Sequence, residues 1–352
     1  ARNPRLPALA VLKMQCNVQS VTLIMAMEQE AAPIVARFAL QRVEESFLNG
    51  APFVAWTGLA EKGLKLNVVW CGYDKRFGVN NVATTAAAVA AYAAVVAFGR
   101  VDLIISAGTA GAFGQRGAKI CDVFMSSKCI FHSRRIPDSV TGVLEEYGFG
   151  HFRSPPLYRL AREVGLHVGV VSTADSLDCN PTDMSLLLAE GAVVKEMEAA
   201  AVAWVCQQLA IPFIALKAVT DIIDGGEPTR EQFDRNLATA AQALQVKLAL
   251  LLELVGGTPL ASWCDVGYSA PAPSLLRAAE DALRAASESP PAGFASRWAK
   301  PATALVPRPW WRAEAPLGYA GWALALALGV GMAWMQRGGG TALRMSNRAT
   351  RR

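Results

Sequence analysis

Between residues 20 and 255, short and almost unbrokenly apolar runs alternate with longer helical stretches, and that alternation leaves few folds open. Residues 20–26, 65–71, 101–107, 122–126, 167–172, 192–195 and 212–219 read as strands. Between them lie helical stretches: one through Ala36, one over 81–98, one from Glu198 to Leu209, and a long one opened by Glu227-Pro228 and running to Val255. A proline near the first turn suits that last helix, because its missing N–H costs least there. Strands that are apolar at every position, rather than at every second one, must be covered on both faces. The pattern therefore predicts an α/β layered fold around a buried sheet. Of the 352 residues, 53% are hydrophobic and only 18% charged, enough to fill a large core.

The formal net charge of +5 is modest and the basic residues are scattered apart from the termini, so the chain carries no nucleic-acid footprint. Its seven cysteines lie far apart without a Cys-x-x-Cys pair, and His132, His151 and His167 have no ligand spacing. No zinc site is expected, and a reducing compartment fits better than a secretory one. Before Glu28 the chain has no acid but carries Arg2, Arg5 and Lys13. Residues 1–19 thus read either as the remnant of an organelle transit peptide, which suits a chain starting at Ala1, or as an ordinary N-terminal extension.

After Gly256-Gly257 the character changes. Residues 258–316 are rich in Pro, Ala and Ser and read as a linker, with one short helix from Ser274 to Glu288 capped by Ser274. The stretch from Leu317 to Met335 is uncharged. As a helix it would be about 28 Å long, near the hydrocarbon thickness of a bilayer. Trp310, Trp311 and Arg312 precede it and Trp334 and Arg337 close it, as at two membrane interfaces. A single transmembrane helix is expected there, followed by a basic tail over 336–352. Arginines on both sides leave its orientation open.

Three acids stand at strand ends: Glu30 in Ala26-Met27-Glu28-Gln29-Glu30, Glu198 in Glu196-Met197-Glu198, and Asp221 in Leu216-Lys217-Ala218-Val219-Thr220-Asp221. Taken as one constellation, they match what cleavage of a ribose–purine bond demands. The leaving base must be protonated, a water must be activated, and a cationic sugar must be stabilised. An acid at the end of a buried apolar strand has a raised pKa, which suits Asp221 as a proton donor. Glu30 would hold the water, and Glu198 would accept both ribose hydroxyls. Acids at such places also serve as plain helix caps. Glu196 is expected to be a bystander.

Residues 20–255 resemble the methylthioadenosine/S-adenosylhomocysteine nucleosidase family, in particular its plant-type members. The resemblance rests on six stretches in order: residues 26–30, Ala107-Gly108-Thr109-Ala110-Gly111, Phe131-His132-Ser133-Arg134-Arg135-Ile136-Pro137, Ser172-Thr173-Ala174-Asp175-Ser176-Leu177-Asp178, Glu196-Met197-Glu198, and Lys217–Asp221 through Asp224-Gly225. It implies a three-layer nucleoside-phosphorylase fold with a mixed central sheet over 20–257, and a homodimer. It also implies hydrolysis of an adenine nucleoside without metal or organic cofactor. The water-activating glutamate falls on Glu30, the donor to purine N7 on Asp221, and the ribose-binding pair on Met197 and Glu198. Thr109 and Met27 fall at positions lining the site, and Leu177 in the wall of the purine pocket.

Two alanines, Ala112 and Ala174, stand where the family usually has glycine, and Ser133 where it usually has Asp. If either glycine position needs a positive φ, alanine would cost about 1 kcal/mol or more there; at Ala112 the added methyl would also narrow the pocket. The Gly108–Gly117 region lacks a Gly-Lys-Ser/Thr ending and reads as a strand-to-helix glycine turn rather than a phosphate loop. Arg134-Arg135 would suit phosphate and hence a phosphorylase, whereas an acid at Glu30 would repel that anion. The added linker and span motivate a different class of reading, an accessory subunit of an organellar membrane complex with a nucleosidase-derived scaffold. Either way the expected location is an organelle membrane, chloroplast thylakoid or envelope in preference to the mitochondrion.

Overall fold

The computed structural model describes residues 8–44 and 51–265. The helix expected over 274–288, the span expected from Leu317 to Met335, and the basic tail lie outside the described residues. In chain order the elements begin with α1 (Ala8–Lys13), β1 (Ser20–Met25), α2 (Glu28–Arg37), β2 (Gln41–Arg42), β3 (Val54–Leu59) and β4 (Lys65–Trp70). The hairpin β5 (Tyr73–Asp74) and β6 (Val79–Asn80) leads into α3 (Ala83–Phe98), β7 (Leu103–Ala112) and β8 (Val123–Phe131). Then come α4 (Val143–Phe149), β9 (Phe152–Arg153), α5 (Tyr158–Val164), β10 (His167–Thr173) and α6 (Pro181–Ala189). The chain continues through β11 (Ala192–Glu196), α7 (Ala199–Gln208), β12 (Phe213–Ile222) and α8 (Thr229–Val255).

The sheet is mixed, in the order β11-β10-β8-β12-β7-β1-β4-β3-β2. Its first five strands close on themselves, because β11 also pairs antiparallel with the far end of β7, Val194 opposite Ala112. Alternate side chains feed opposite faces. Leu103 and Ile105 enter the core beneath α2, α5 and α8, while Ile104 enters the core beneath α3 and α7. The second core is built on small residues: Ala87, Ala90, Ala91 and Ala94 of α3 and Ala199 and Ala200 of α7 are fully buried, which lets these two helices pack closely. Helix α8 is long and apolar enough to cross a membrane by length and composition. It instead buries Ala240, Leu244, Leu248, Leu251, Leu252 and Val255 in the core over the sheet.

Four expectations need revision. The strand read as ending at Ala107 runs on through Gly108-Thr109-Ala110-Gly111 to Ala112, and only a single 3-10 turn, Gly114–Arg116, follows; no helix opens there. Pairing to β12 on one side and β11 on the other holds these glycines in a strand. The segment over 8–19 is not a loose extension. Met14 and Val18 are buried, and Val18 exchanges backbone hydrogen bonds with residues 257 and 258. The start of the expected linker also joins the core, through the short turn Leu260–Trp263 with Leu260 buried. Finally, neither Ala112 nor Ala174 has a positive φ. Ala112 lies in paired strand β7 and the Ala174 N–H donates to the Glu196 carbonyl, so the methyl groups impose no positive-φ strain there. The positive-φ alanine that matters is Ala83, at φ +75° on the first residue of α3.

Candidate active site

A cavity of about 240 Å³ opens where β7, β11 and β12 end near the first turns of α2 and α7. Met27, Glu30, Thr109, Leu177, Met197, Glu198 and Asp221, the seven residues singled out from the sequence, all line it. Ala112 and Ser133 do not, so neither departure places a side chain in the cavity wall. Arg134 and Arg135 are also elsewhere. Arg134 donates to the carbonyls of Gly148 and Tyr147 and Arg135 to Asp183, so neither supplies an anion site in this cavity.

Glu30 sits in the first turn of α2, where the helix N-terminus favours a carboxylate. Its Oε1 accepts from the Thr109 N–H at 2.7 Å and the Thr109 hydroxyl at 2.8 Å, and its Oε2 accepts from the Met27 N–H at 3.2 Å. Gly108 makes room for it: a Cβ there would lie 3.0 Å from Oε1. Burial raises the Glu30 pKa, against the charge of Lys217 and these hydrogen bonds.

Asp221 is placed by an irregularity in the sheet. The β12–β7 register shifts between Val219 and Asp221, so Thr220 is an extra residue and the strand re-aims the acid. Its Oδ1 accepts from the Thr220 hydroxyl at 2.8 Å. Its Oδ2 occupies the space that a Cβ on Gly111 would need, 2.5 Å away. Burial raises the Asp221 pKa, opposed by the Thr220 hydrogen bond and the Lys195 charge.

Glu198 precedes α7 and reaches across to α3, where its Oε1 accepts from the N–H of Ala83 at 2.9 Å. The strained φ of Ala83 aims that N–H at the acid. Burial pushes the Glu198 pKa up, Lys217 pulls it down, and Glu196 adds a further push.

Glu196 is no bystander. It accepts from the Thr173 hydroxyl and from the N–H groups of Glu198 and Ala199, both at 2.8 Å, which caps the start of α7. It also pairs with the buried Lys217 at 2.9 Å. Burial works against the Lys217 ammonium, but Glu196, Glu198 and Glu30 outweigh it and keep its pKa high. Sequence reasoning gave Lys217 no role. The signal was a lone lysine inside the otherwise apolar strand 212–219, which a buried strand tolerates only when its ammonium finds acceptors inside the protein. Lys195 was missed in the same way and also lines the cavity.

Comparison with known proteins agrees with this geometry. Residues 20–255 match the family model described as phosphorylase superfamily. The chain is 39% identical to a 5′-methylthioadenosine nucleosidase of Arabidopsis thaliana over 69% of this chain and 90% of that protein. A 5′-methylthioadenosine/S-adenosylhomocysteine nucleosidase of the same plant is also 39% identical, over 68% and 93%. The solved structure of the Arabidopsis thaliana 5′-methylthioadenosine nucleosidase in apo form superposes with a TM-score of 0.67, covering 70% of this chain and 99% of that one. The chain belongs to the phosphorylase superfamily and, within it, to the plant-type methylthioadenosine/S-adenosylhomocysteine nucleosidase family.

Proposed function

We infer that the domain hydrolyses the N-glycosidic bond of 5′-methylthioadenosine, with S-adenosylhomocysteine as a second substrate. The observation that carries this reading is three buried carboxyls, Glu30, Glu198 and Asp221, around one cavity with apolar walls at Met27, Leu177, Met197 and Phe233. Ionised Glu30 takes a proton from water as its oxygen bonds to C1′. The C1′–N9 electron pair passes to the purine, and protonated Asp221 delivers its proton to N7. Ionised Glu198 accepts both ribose hydroxyls, and the carboxylates stabilise the cationic sugar between them. The products are adenine and methylthioribose, and proton exchange with solvent resets the two acids.

Incubation of the full chain with 5′-methylthioadenosine tests this. Adenine should be released at the same rate with and without inorganic phosphate. Phosphate-dependent release would favour a phosphorylase. Absence of release would favour the accessory-subunit reading, in which the domain serves as scaffold. Gly111→Ala should lower kcat about a hundredfold, because a methyl group displaces the Asp221 carboxyl by roughly an ångström. An unchanged kcat would show that Asp221 has room to spare.

The stretch from Leu317 to Met335 supports tethering to an organelle membrane, with the chloroplast favoured by the plant-type family. Recovery of the chain in a salt-washed chloroplast membrane fraction would support that tether, and recovery in the stroma would exclude it. A homodimer, as implied by the family, is part of the same reading and is checked by its mass in solution.

A further inference from the structure

The wall of the cavity that carries Leu177 is a stretch without regular structure, residues 174–180 between β10 and α6. Such a segment needs external ties to hold one conformation. At its start Asp175 accepts from the N–H and hydroxyl of Thr84 at 2.8 and 2.7 Å. At its centre the ammonium of Lys195 donates to the carbonyls of Ser176 at 2.6 Å and Leu177 at 3.0 Å. Lys195 is 5% exposed, so its charge is held out of water, and among the described residues it makes no ion pair within 4.0 Å. A buried ammonium whose hydrogen bonds go to two successive carbonyls of one loop is fastened to that loop at a cost. The other buried lysine near the site, Lys217, is instead paired with carboxylates.

We propose that Lys195 is a positioning residue for the base: its ammonium latches the 174–180 loop into place as the wall against which the purine stacks, and presents positive charge to Asp221 across the same cavity. The proposal rests on the nucleosidase reading for the identity of the ligand, but not for the latch itself. The charged and titratable groups around Lys195 are Cys179 and Asp178 of the loop, Asp221 of β12, Glu196 of its own strand, and His132 beyond β8. Of these, Asp221 is the one whose protonation the proposed reaction uses. A nearby cation favours the ionised form of that acid, and it also stabilises negative charge developing on the departing base.

Full-length Lys195→Met and Lys195→Arg test this against wild type. Amide hydrogen exchange over 174–180 should quicken by about tenfold or more in the Met variant, as expected for losing charge-assisted hydrogen bonds, while exchange in β1 and β7 stays as it was. Its KM for 5′-methylthioadenosine should rise by a similar factor, and the alkaline limb of its kcat profile should move to higher pH as Asp221 loses a neighbouring cation. Lys195→Arg should restore the exchange pattern and most of the KM. Unchanged exchange in the loop would overturn the latch, and an unmoved alkaline limb would overturn the electrostatic part. A wild-type chain that releases no adenine would refute the nucleosidase reading alone, since the exchange experiment still decides the latch. A Met variant with faster exchange throughout would signal general loosening and count against a local role.

Discussion

Asp221→Asn is expected to reduce adenine release by about 10²–10⁴-fold, the usual range for a general acid, while leaving the fold intact. The substitution is isosteric, and the Thr220 hydroxyl can still donate to the side-chain amide oxygen of the variant in place of the Asp221 Oδ1. What is lost is the transferable proton, since an amide N–H is not acidic enough to protonate a departing purine. The buried site favours the uncharged form of Asp221, so the wild-type acid is held protonated at pH values where an exposed aspartate would be ionised. The wild-type kcat should therefore fall as pH rises through the raised pKa of Asp221, and the asparagine variant should show no such limb. Urea unfolding checks the fold: an amide carries no charge to desolvate, so the variant should be at least as stable as wild type above neutrality. A variant that retains full adenine release would exclude Asp221 as the donor and with it the mechanism.

The sequence made the central strands legible because their demand is simple. A run such as Phe213-Ile214-Ala215-Leu216 has no polar residue on either face, so only a covered strand accommodates it, and β1, β4, β10 and β11 were also legible as largely apolar runs. What was hidden depends on contacts distant in sequence. Strand β3 buries only Ala55 and leaves its other residues partly or fully exposed beside β4 near the edge of the sheet, a weaker signal than a wholly apolar run. The closure of β11 onto β7 cannot be read from either strand alone. The same holds for the site. The acids could be found because a carboxyl at the end of an apolar strand is conspicuous. Their arrangement could not, because it depends on an extra residue at Thr220, on two glycines that leave space for carboxyl oxygens, and on a positive-φ alanine. Glu196 and Lys217 were mistaken for background because each looks expendable until they are seen to face one another inside the protein.

That pair carries the second large effect. Lys217→Met should destabilise the protein by about 3–5 kcal/mol at neutral pH, the usual cost of removing one partner from a buried ion pair. Methionine fills the volume of the lysine stem, so the loss is electrostatic rather than a cavity. Without the ammonium, Glu196 keeps its hydrogen bonds from Thr173, Glu198 and Ala199 but loses its counter-charge. Glu198 and Glu30, already raised in pKa by burial, lose the cation that holds them down. An acid whose pKa is raised by folding contributes stability that is fully present below its unfolded value and disappears as pH rises through its folded value. The gap between variant and wild type should therefore be small near pH 4 and widen toward pH 8, as Glu198 and Glu30 are forced to ionise without a partner. Urea midpoints measured across that range will show it. Pairing the change with Glu196→Gln should recover part of the loss, since one of the unpaired charges goes with it. A Lys217→Met protein as stable as wild type at pH 8 would mean that water reaches the cluster. The carboxyls would then lack the low-dielectric surroundings that the proposed ribose binding by Glu198 and water activation by Glu30 require.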